Sequence, residues 1–261
     1  MQPRSASLNV RPALAVSVEG LTKRFGITSA VNDVELFVPP GQAIAFVGPS
    51  GAGKTTLLEL IAGSVSPDAG RVSLYGQDLS SLKPGRELAS LVGVVAQQYD
   101  LVPNLSALQN VLAGRLGAWG AWKSILSLLA PRDKPLAMRA LERVGIAGRA
   151  EERAGRLSGG EQQRVAIARV VVQDPKIILA DEPVSSLDPA RAEDVLALLV
   201  SIAHERKLTL IASMHAIDLA TRYFDRLVGL RNGRILFDCP ASDVTRTDLN
   251  ALYKIEEERG G

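Results

Sequence analysis

AIAFVGPSGAGKT, Ala43 to Thr55, is the stretch that decides the fold. Its first five residues are apolar and read as a short buried strand. Gly48 to Thr55 then reads GPSGAGKT, which fits G-x-x-x-x-G-K-[ST] in full. A helical pattern follows, with Leu57, Leu58, Leu60 and Ile61 apolar. Strand, glycine loop and helix in that order form a cradle for phosphate. The glycines let backbone N–H groups wrap phosphate oxygens, and the helix N-terminus adds a favourable dipole. In such a loop Lys54 contacts the β- and γ-phosphates of a nucleotide, and Thr55 holds Mg²⁺ through its hydroxyl. A glycine-rich turn matching by chance would not explain the strand before it or the helix after it.

A second apolar run lies far downstream, in IILADEP, Ile177 to Pro183. It reads as a buried strand that delivers two carboxylates at its C-terminal end, where open α/β sheets place their ligands. Asp181 is the metal helper and Glu182 the candidate base that polarises an attacking water. Alone, such a run would read as a strand entering a solvated turn; the phosphate loop reverses that reading. The third signal is LSGGEQQR, Leu157 to Arg164. Ser158 and Glu161 form a capping box, so a well-capped helix is the bland alternative. Gly159 and Gly160 are then out of place, since glycine costs about 1 kcal/mol in a helix. They make sense where phosphate must approach the backbone closely.

Further strands are expected from Val16 onward and at Arg71–Tyr75, Leu91–Val95, Ile177–Ala180, Leu208–Ser213, Arg226–Leu230 and Arg234–Phe237. Helical patterns fall near 106–114, 134–144, 159–173, 190–206 and 216–223, with a late charged helix near 248–258. The alternation predicts an α/β fold with a parallel sheet. Residues 16–38 stand apart as a candidate antiparallel layer, 98–156 as an inserted helical subdomain, and 1–13 as a flexible tail.

Composition narrows the classes. The 261 residues carry 30 basic and 28 acidic side chains, a balance that argues against a dedicated nucleic-acid binder. Cys239 is the only cysteine, so neither an internal disulfide nor a cysteine zinc site is expected. No signal peptide is read at the start, and no apolar run approaches the roughly 20 residues needed to span a bilayer. A membrane role would come through a partner.

GPSGAGKT, LSGGE and ILADEP, in this order, resemble the ATP-binding cassette family across about residues 16–240. The resemblance implies a phosphate-loop NTPase core with an N-terminal antiparallel β layer and an inserted helical subdomain. The cassette would run over 14–245, with a C-terminal helix or tail at 246–261. It implies ATP and Mg²⁺ as cofactors, with ATP held by Phe25, Gly48, Pro49, Ser50, Gly51, Ala52, Gly53, Lys54, Thr55 and Thr56. Phe25 would stack on adenine, a plain core aromatic being the alternative. Gln97 resembles the glutamine that touches Mg²⁺ beside Thr55 and Asp181 and links to the membrane subunit; its neighbour Gln98 competes for that assignment. Leu157, Ser158, Gly159, Gly160 and Glu161 resemble the signature that faces the partner's ATP. Ser186, Leu187 and Asp188 resemble the D-loop, although Asp188-Pro189 is also a helix start. His215 resembles the switch histidine, so Glu182, His215 and Gln97 form the expected catalytic set. Ala96, Val184 and Ala216 depart from residues common at their positions, without removing a reacting group.

The family further implies a homodimer closed head to tail around two ATP molecules. That dimer is expected to work with integral permease subunits, and through them a substrate-binding protein, peripherally at the cytoplasmic face of the inner membrane. Nucleic acid is not expected as a partner. NVLAGRLG (110–117), Trp119 to Leu129, RVGI (143–146), DEPVSSLDP (181–189) and FDRLVGL (224–230) resemble the phosphonate-importer branch. A phosphonate or related reduced-phosphorus oxyanion is therefore the expected cargo. Another small-solute importer, an exporter and a soluble non-transport ATPase of the same family stand as alternatives. The last of these usually carries a coiled-coil or zinc insertion or a second cassette, none of which is seen.

Overall fold

The computed structural model describes residues 14–83, 85–97, 99–118 and 133–253. The expected tail (1–13), Gln98, the Trp119 to Leu129 stretch and the late helix beyond Tyr253 lie outside the described residues.

In chain order come β1 (Val16–Phe25), β2 (Thr28–Val38), β3 (Ala43–Val47), α1 (Lys54–Ala62), β4 (Ala69–Leu74), β5 (Gln77–Asp78), α2 (Arg86–Leu91) and β6 (Val92–Val95). Then follow α3 (Ala107–Leu112), α4 (Lys134–Arg143), α5 (Gly159–Gln173), β7 (Ile177–Asp181), α6 (Pro189–Glu205), β8 (Thr209–Met214), α7 (Ile217–Tyr223), β9 (Arg226–Arg231), β10 (Arg234–Pro240) and α8 (Arg246–Tyr253). Short 3-10 turns lie between several of these.

Two sheets result. One has six strands in the order β10-β9-β3-β8-β7-β6, parallel except for β10, which pairs antiparallel with β9 at the edge. The other has four strands in the order β2-β1-β4-β5, all antiparallel. The antiparallel layer expected over 16–38 is thus larger than those residues. It also recruits β4, because Arg71, Val72, Ser73 and Leu74 pair with β1 rather than with the parallel strands.

The inner strands of the six-stranded sheet are buried on both faces, and strand periodicity explains how. Along β3, Ile44 and Phe46 point into a core shared with Leu57, Leu60, Ile61 and the four-stranded sheet. Ala43, Ala45 and Val47 point the other way, into a core shared with α3, α4, α5, α6 and α7. The same split runs through β7 and β8: Leu179 and Ile211 face the first core, Ala180 and Ala212 the second. Alanines on that face leave room for the 17-residue α6 to lie close to the sheet.

Between β6 and β7 the described residues contain helices and turns and no named strand. This is the expected helical insertion, built from α3 and α4 packed on α5. Asn110 anchors it internally. Its amide oxygen accepts from Val102 N (2.8 Å), and its amide nitrogen donates to the carbonyls of Val102, Leu105 and Ser106. Because β3 and β7 both pair parallel with β8, the three strands end at the same edge of the sheet.

Candidate functional site

The loop after β3 is shaped first by its own backbone. Gly48 has φ 149°, and a Cβ there would sit 2.1 Å from Leu230 O. Gly53 has φ 102°, and its Cβ would sit 2.2 Å from Ala30 O. Both glycines are required by the approach of neighbouring strands, not only by a ligand. Gly51 differs: its φ is 78°, yet a Cβ would meet nothing within 4 Å. Gly53 caps α1 with no side-chain bond, and the first turn of α1 holds no acid. That helix start therefore offers its N–H groups and positive dipole end to an anion in the loop.

Lys54 is nearly buried (4% exposed) and donates from Nζ to Gly48 O (2.7 Å) and Pro49 O (3.0 Å). Burial pulls its ammonium below the ordinary lysine value, while the Glu182 and Asp181 carboxylates pull the other way. A cation lies inside the loop, with the carboxylates of β7 facing it.

Those carboxylates are set by one buried hydroxyl. Ser213, near the end of β8, pairs in register with Asp181 at the end of β7. Its Oγ donates to Asp181 Oδ1 (2.6 Å) and accepts from the Glu182 backbone N–H (2.8 Å). Thr55 Oγ1 also donates to Asp181 Oδ1, at 3.1 Å. Glu182 sits at φ 45°, a conformation that costs a non-glycine residue about 1–3 kcal/mol and that turns its side chain away from the strand direction. Its carboxylate accepts from Gln97 Nε2 (3.1 Å) and pairs with His215 Nε2. Two segments remote in sequence, around Gln97 and around Ser213–His215, thus converge on Glu182.

The donor set suits Mg²⁺. Octahedral bonds of about 2.1 Å bring neighbouring ligand oxygens to roughly 3 Å; Thr55 Oγ1 and Asp181 Oδ1 are 3.1 Å apart. Both oxygens are hard ligands. Among the described residues no group of three or more His, Cys, Asp or Glu could hold a metal ion alone. A cation here would need phosphate oxygens as well, as Mg²⁺ in nucleotide sites commonly does.

The start of α5 lines a separate cavity with Arg164, Arg191 and Val195, which includes none of the residues above. Ser158 is its N-cap, and the capping box is complete: Glu161 N donates to Ser158 Oγ, and Ser158 N donates to Glu161 Oε2 at 2.9 Å. The backbone N–H of Ser158, then its hydroxyl, then Arg149 hold the Glu161 carboxyl below the ordinary value. The capping explanation therefore holds, but it does not account for the glycines. A Cβ at Gly160 would make only ordinary contacts, the nearest being Arg191 Cδ at 3.7 Å. Nothing within the described residues forbids alanine there. Asp188 likewise caps α6, accepting from Arg191 N at 3.1 Å.

Phe25 ends β1 and is 52% exposed, with Lys23 Nζ 5.5 Å from its ring centre. It is not a core aromatic. Of the two adjacent glutamines, Gln97 reaches Glu182; Gln98 is outside the described residues. Two contributors went unread in the sequence. Ser213 could have been flagged as a polar residue ending an otherwise apolar buried strand. Tyr99, whose hydroxyl is 2.6 Å from Ser186 Oγ, carried no local signal.

Comparison with known proteins agrees with this geometry. The ABC transporter family profile matches residues 31–185. The chain is 46% identical over 242 residues to a phosphonates import ATP-binding protein, PhnC 2, of Rhodopseudomonas palustris (strain BisB18), covering 92% of this chain and 89% of that protein. It is 42% identical to PhnC of Pseudomonas putida over 245 residues, covering 93% and 91%. The fold superposes on the dimeric ATP-binding cassette MJ0796, solved in a post-hydrolysis state with ADP and Pi. There the TM-score is 0.75 and the identity 30%, covering 87% of this chain and 98% of that one. A glycine loop after β3, two carboxylates at the end of β7 with β8 between the two strands, and a glycine-opened helix thus coincide with a profile spanning more than half of the sequence: the chain belongs to the ABC transporter family, as an ATP-binding cassette.

Proposed function

We propose that the chain is the ATP-hydrolysing subunit of an importer for phosphonate or a related reduced-phosphorus oxyanion. The observation that carries the ATPase reading is the meeting of Gln97 and His215 on Glu182, beside the Thr55–Asp181 pair and the buried Lys54. In this reading Phe25 stacks on adenine, and the run Gly48 to Thr56 holds the phosphates. Thr55, Asp181 and Gln97 would hold Mg²⁺, which when bound would supply charge stabilisation at the phosphates. Lys54 supplies a fixed positive charge. Glu182 accepts the proton of the attacking water, and His215 orients that carboxylate and the terminal phosphate. Phosphoryl transfer needs mainly positioning and charge stabilisation, so these roles suffice.

Ser158, Gly159 and Gly160 lie away from this cluster and face the ATP of a second copy, with Ser186, Leu187 and Asp188 at the seam between the two. ATP then joins two chains head to tail, and hydrolysis releases them. No described helix is long and apolar enough to cross a membrane. The dimer works from a permease, peripherally at the cytoplasmic face of the inner membrane, and a substrate-binding protein delivers the cargo from the other side. The names of the relatives support the cargo. The chemistry supplies a reason for the expense: an oxyanion entering against an inside-negative potential costs about 2.3 kcal/mol per charge per 100 mV. A deletion strain is expected to lose growth on phosphonate or phosphite as sole phosphorus source and regain it with the wild-type gene, not with Lys54→Ala. Undiminished growth on every reduced-phosphorus compound, with failure on a sugar or amino acid, would remove the cargo assignment and leave the ATPase standing.

A further inference from the structure

We infer that Tyr99 is a positioning residue that ties the Gln97 side of the site to the surface this chain presents to its partner's ATP. The inference rests on the ATPase reading above and deepens it.

Tyr99 follows two residues after Gln97, and its hydroxyl reaches across to Ser186, with 2.6 Å between the oxygens. The same hydroxyl lies beside the start of α5, since a Cβ at Gly159 would come within 3.3 Å of it. One oxygen therefore touches two segments proposed to meet the second nucleotide. Its placement is enforced from behind. Tyr99 and Asp100 stand in tandem at φ 57° and 47°, a conformation non-glycine residues rarely adopt. Arg169 of α5 holds that kink by donating to Asp100 O (2.5 Å) and Tyr99 O (3.0 Å). Gly114 packs against the same residue so closely that a Cβ there would lie 2.2 Å from Arg169 O. A solvated surface tyrosine would need neither the kink nor the clamp.

The consequence is mechanical. When Gln97 shifts with the state of the bound nucleotide, Tyr99 moves with it, and Ser186 and the α5 start are drawn along. Each chain thereby links its own ATP to the one it shares with its partner, and a coupling between sites requires some such two-state connection.

The test uses the full chain with Mg-ATP and four proteins: wild type, Tyr99→Phe, Ser186→Ala and the double variant. Removing one hydroxyl is expected to leave the melting temperature and the KM for ATP unchanged. It should lower kcat about 3- to 10-fold, the loss of one hydrogen bond, and bring the Hill coefficient for ATP down toward unity. Ser186→Ala should do the same. The double variant should be no worse than either single one, because both remove the same interaction. Wild-type kcat and Hill coefficient in Tyr99→Phe would overturn the inference, as would additive losses in the double variant or a fall in melting temperature that accounts for the lost rate. Failure of the underlying reading looks different: the wild type would then show no ATP hydrolysis above Lys54→Ala.

Discussion

A Cβ at Gly48 would lie 2.1 Å from Leu230 O, whereas one at Gly160 would meet nothing closer than 3.7 Å. Gly48 is required from within the chain, whereas nothing among the described residues requires glycine at 160. Gly48→Ala is expected to destabilise the fold by about 2–4 kcal/mol, through backbone overlap and a φ of 149°. Gly160→Ala should leave stability unchanged or raise it by at most about 1 kcal/mol, because alanine favours a helix. On the proposed reading it should nonetheless lower ATP turnover about 10-fold or more, because the methyl would stand where the partner's phosphate is expected. Thermal unfolding beside phosphate release separates the two; a Gly160→Ala protein with full turnover would place the shared nucleotide elsewhere. From sequence, both glycines read as room for phosphate. The distinction was not legible because it depends on where strands remote in sequence run past the loop.

At the level of elements, α5 begins on a complete capping box, and that box carries a pH dependence. The folded state holds the Glu161 carboxyl below its ordinary value, through Ser158 and Arg149. The unfolded chain then binds a proton more readily than the folded one. The stabilisation is fully present above the ordinary glutamate value of about 4.3 and is lost as pH falls through the lowered folded value. Glu161→Gln keeps the cap's geometry and removes its charge. It is expected to cost about 0.5–1 kcal/mol at neutral pH, a difference that closes on acidification; a difference independent of pH would show that the charge does not matter. The strand, loop and helix around Gly48, and the strand that ends in Asp181, were legible because each signal is local. The α5 box was legible for the same reason. The Asp181–Ser213–Glu182 arrangement was not, since it exists only through the pairing of β7 with β8. β4 read as a strand, but its place in the antiparallel sheet depends on β1, about fifty residues away in the chain. α2 was missed because its six residues follow Gly85, which offers no side-chain cap, and run straight into β6; α3 is as short but opens on the Ser106–Gln109 capping box.

Taken as a whole molecule, the chain carries Lys54, Thr55, Gln97, Asp181, Glu182 and His215 at one place and the Ser158–Gly160 helix start at another. On the proposed reading each half is incomplete alone, and a head-to-tail pair would complete both. The resemblance to a cassette solved as a dimer with ADP and Pi supports that arrangement. Glu182 is where the account is most exposed, because binding, metal and dimer contacts all survive without its charge while water activation does not. The decisive measurement is ATP turnover by Glu182→Gln, read together with its mass in solution with ATP and Mg²⁺. Turnover is expected to fall by about 10²-fold or more, with ATP still bound and a stable dimer that the wild type forms only transiently. Near wild-type turnover by a chain that remains monomeric with ATP would contradict this.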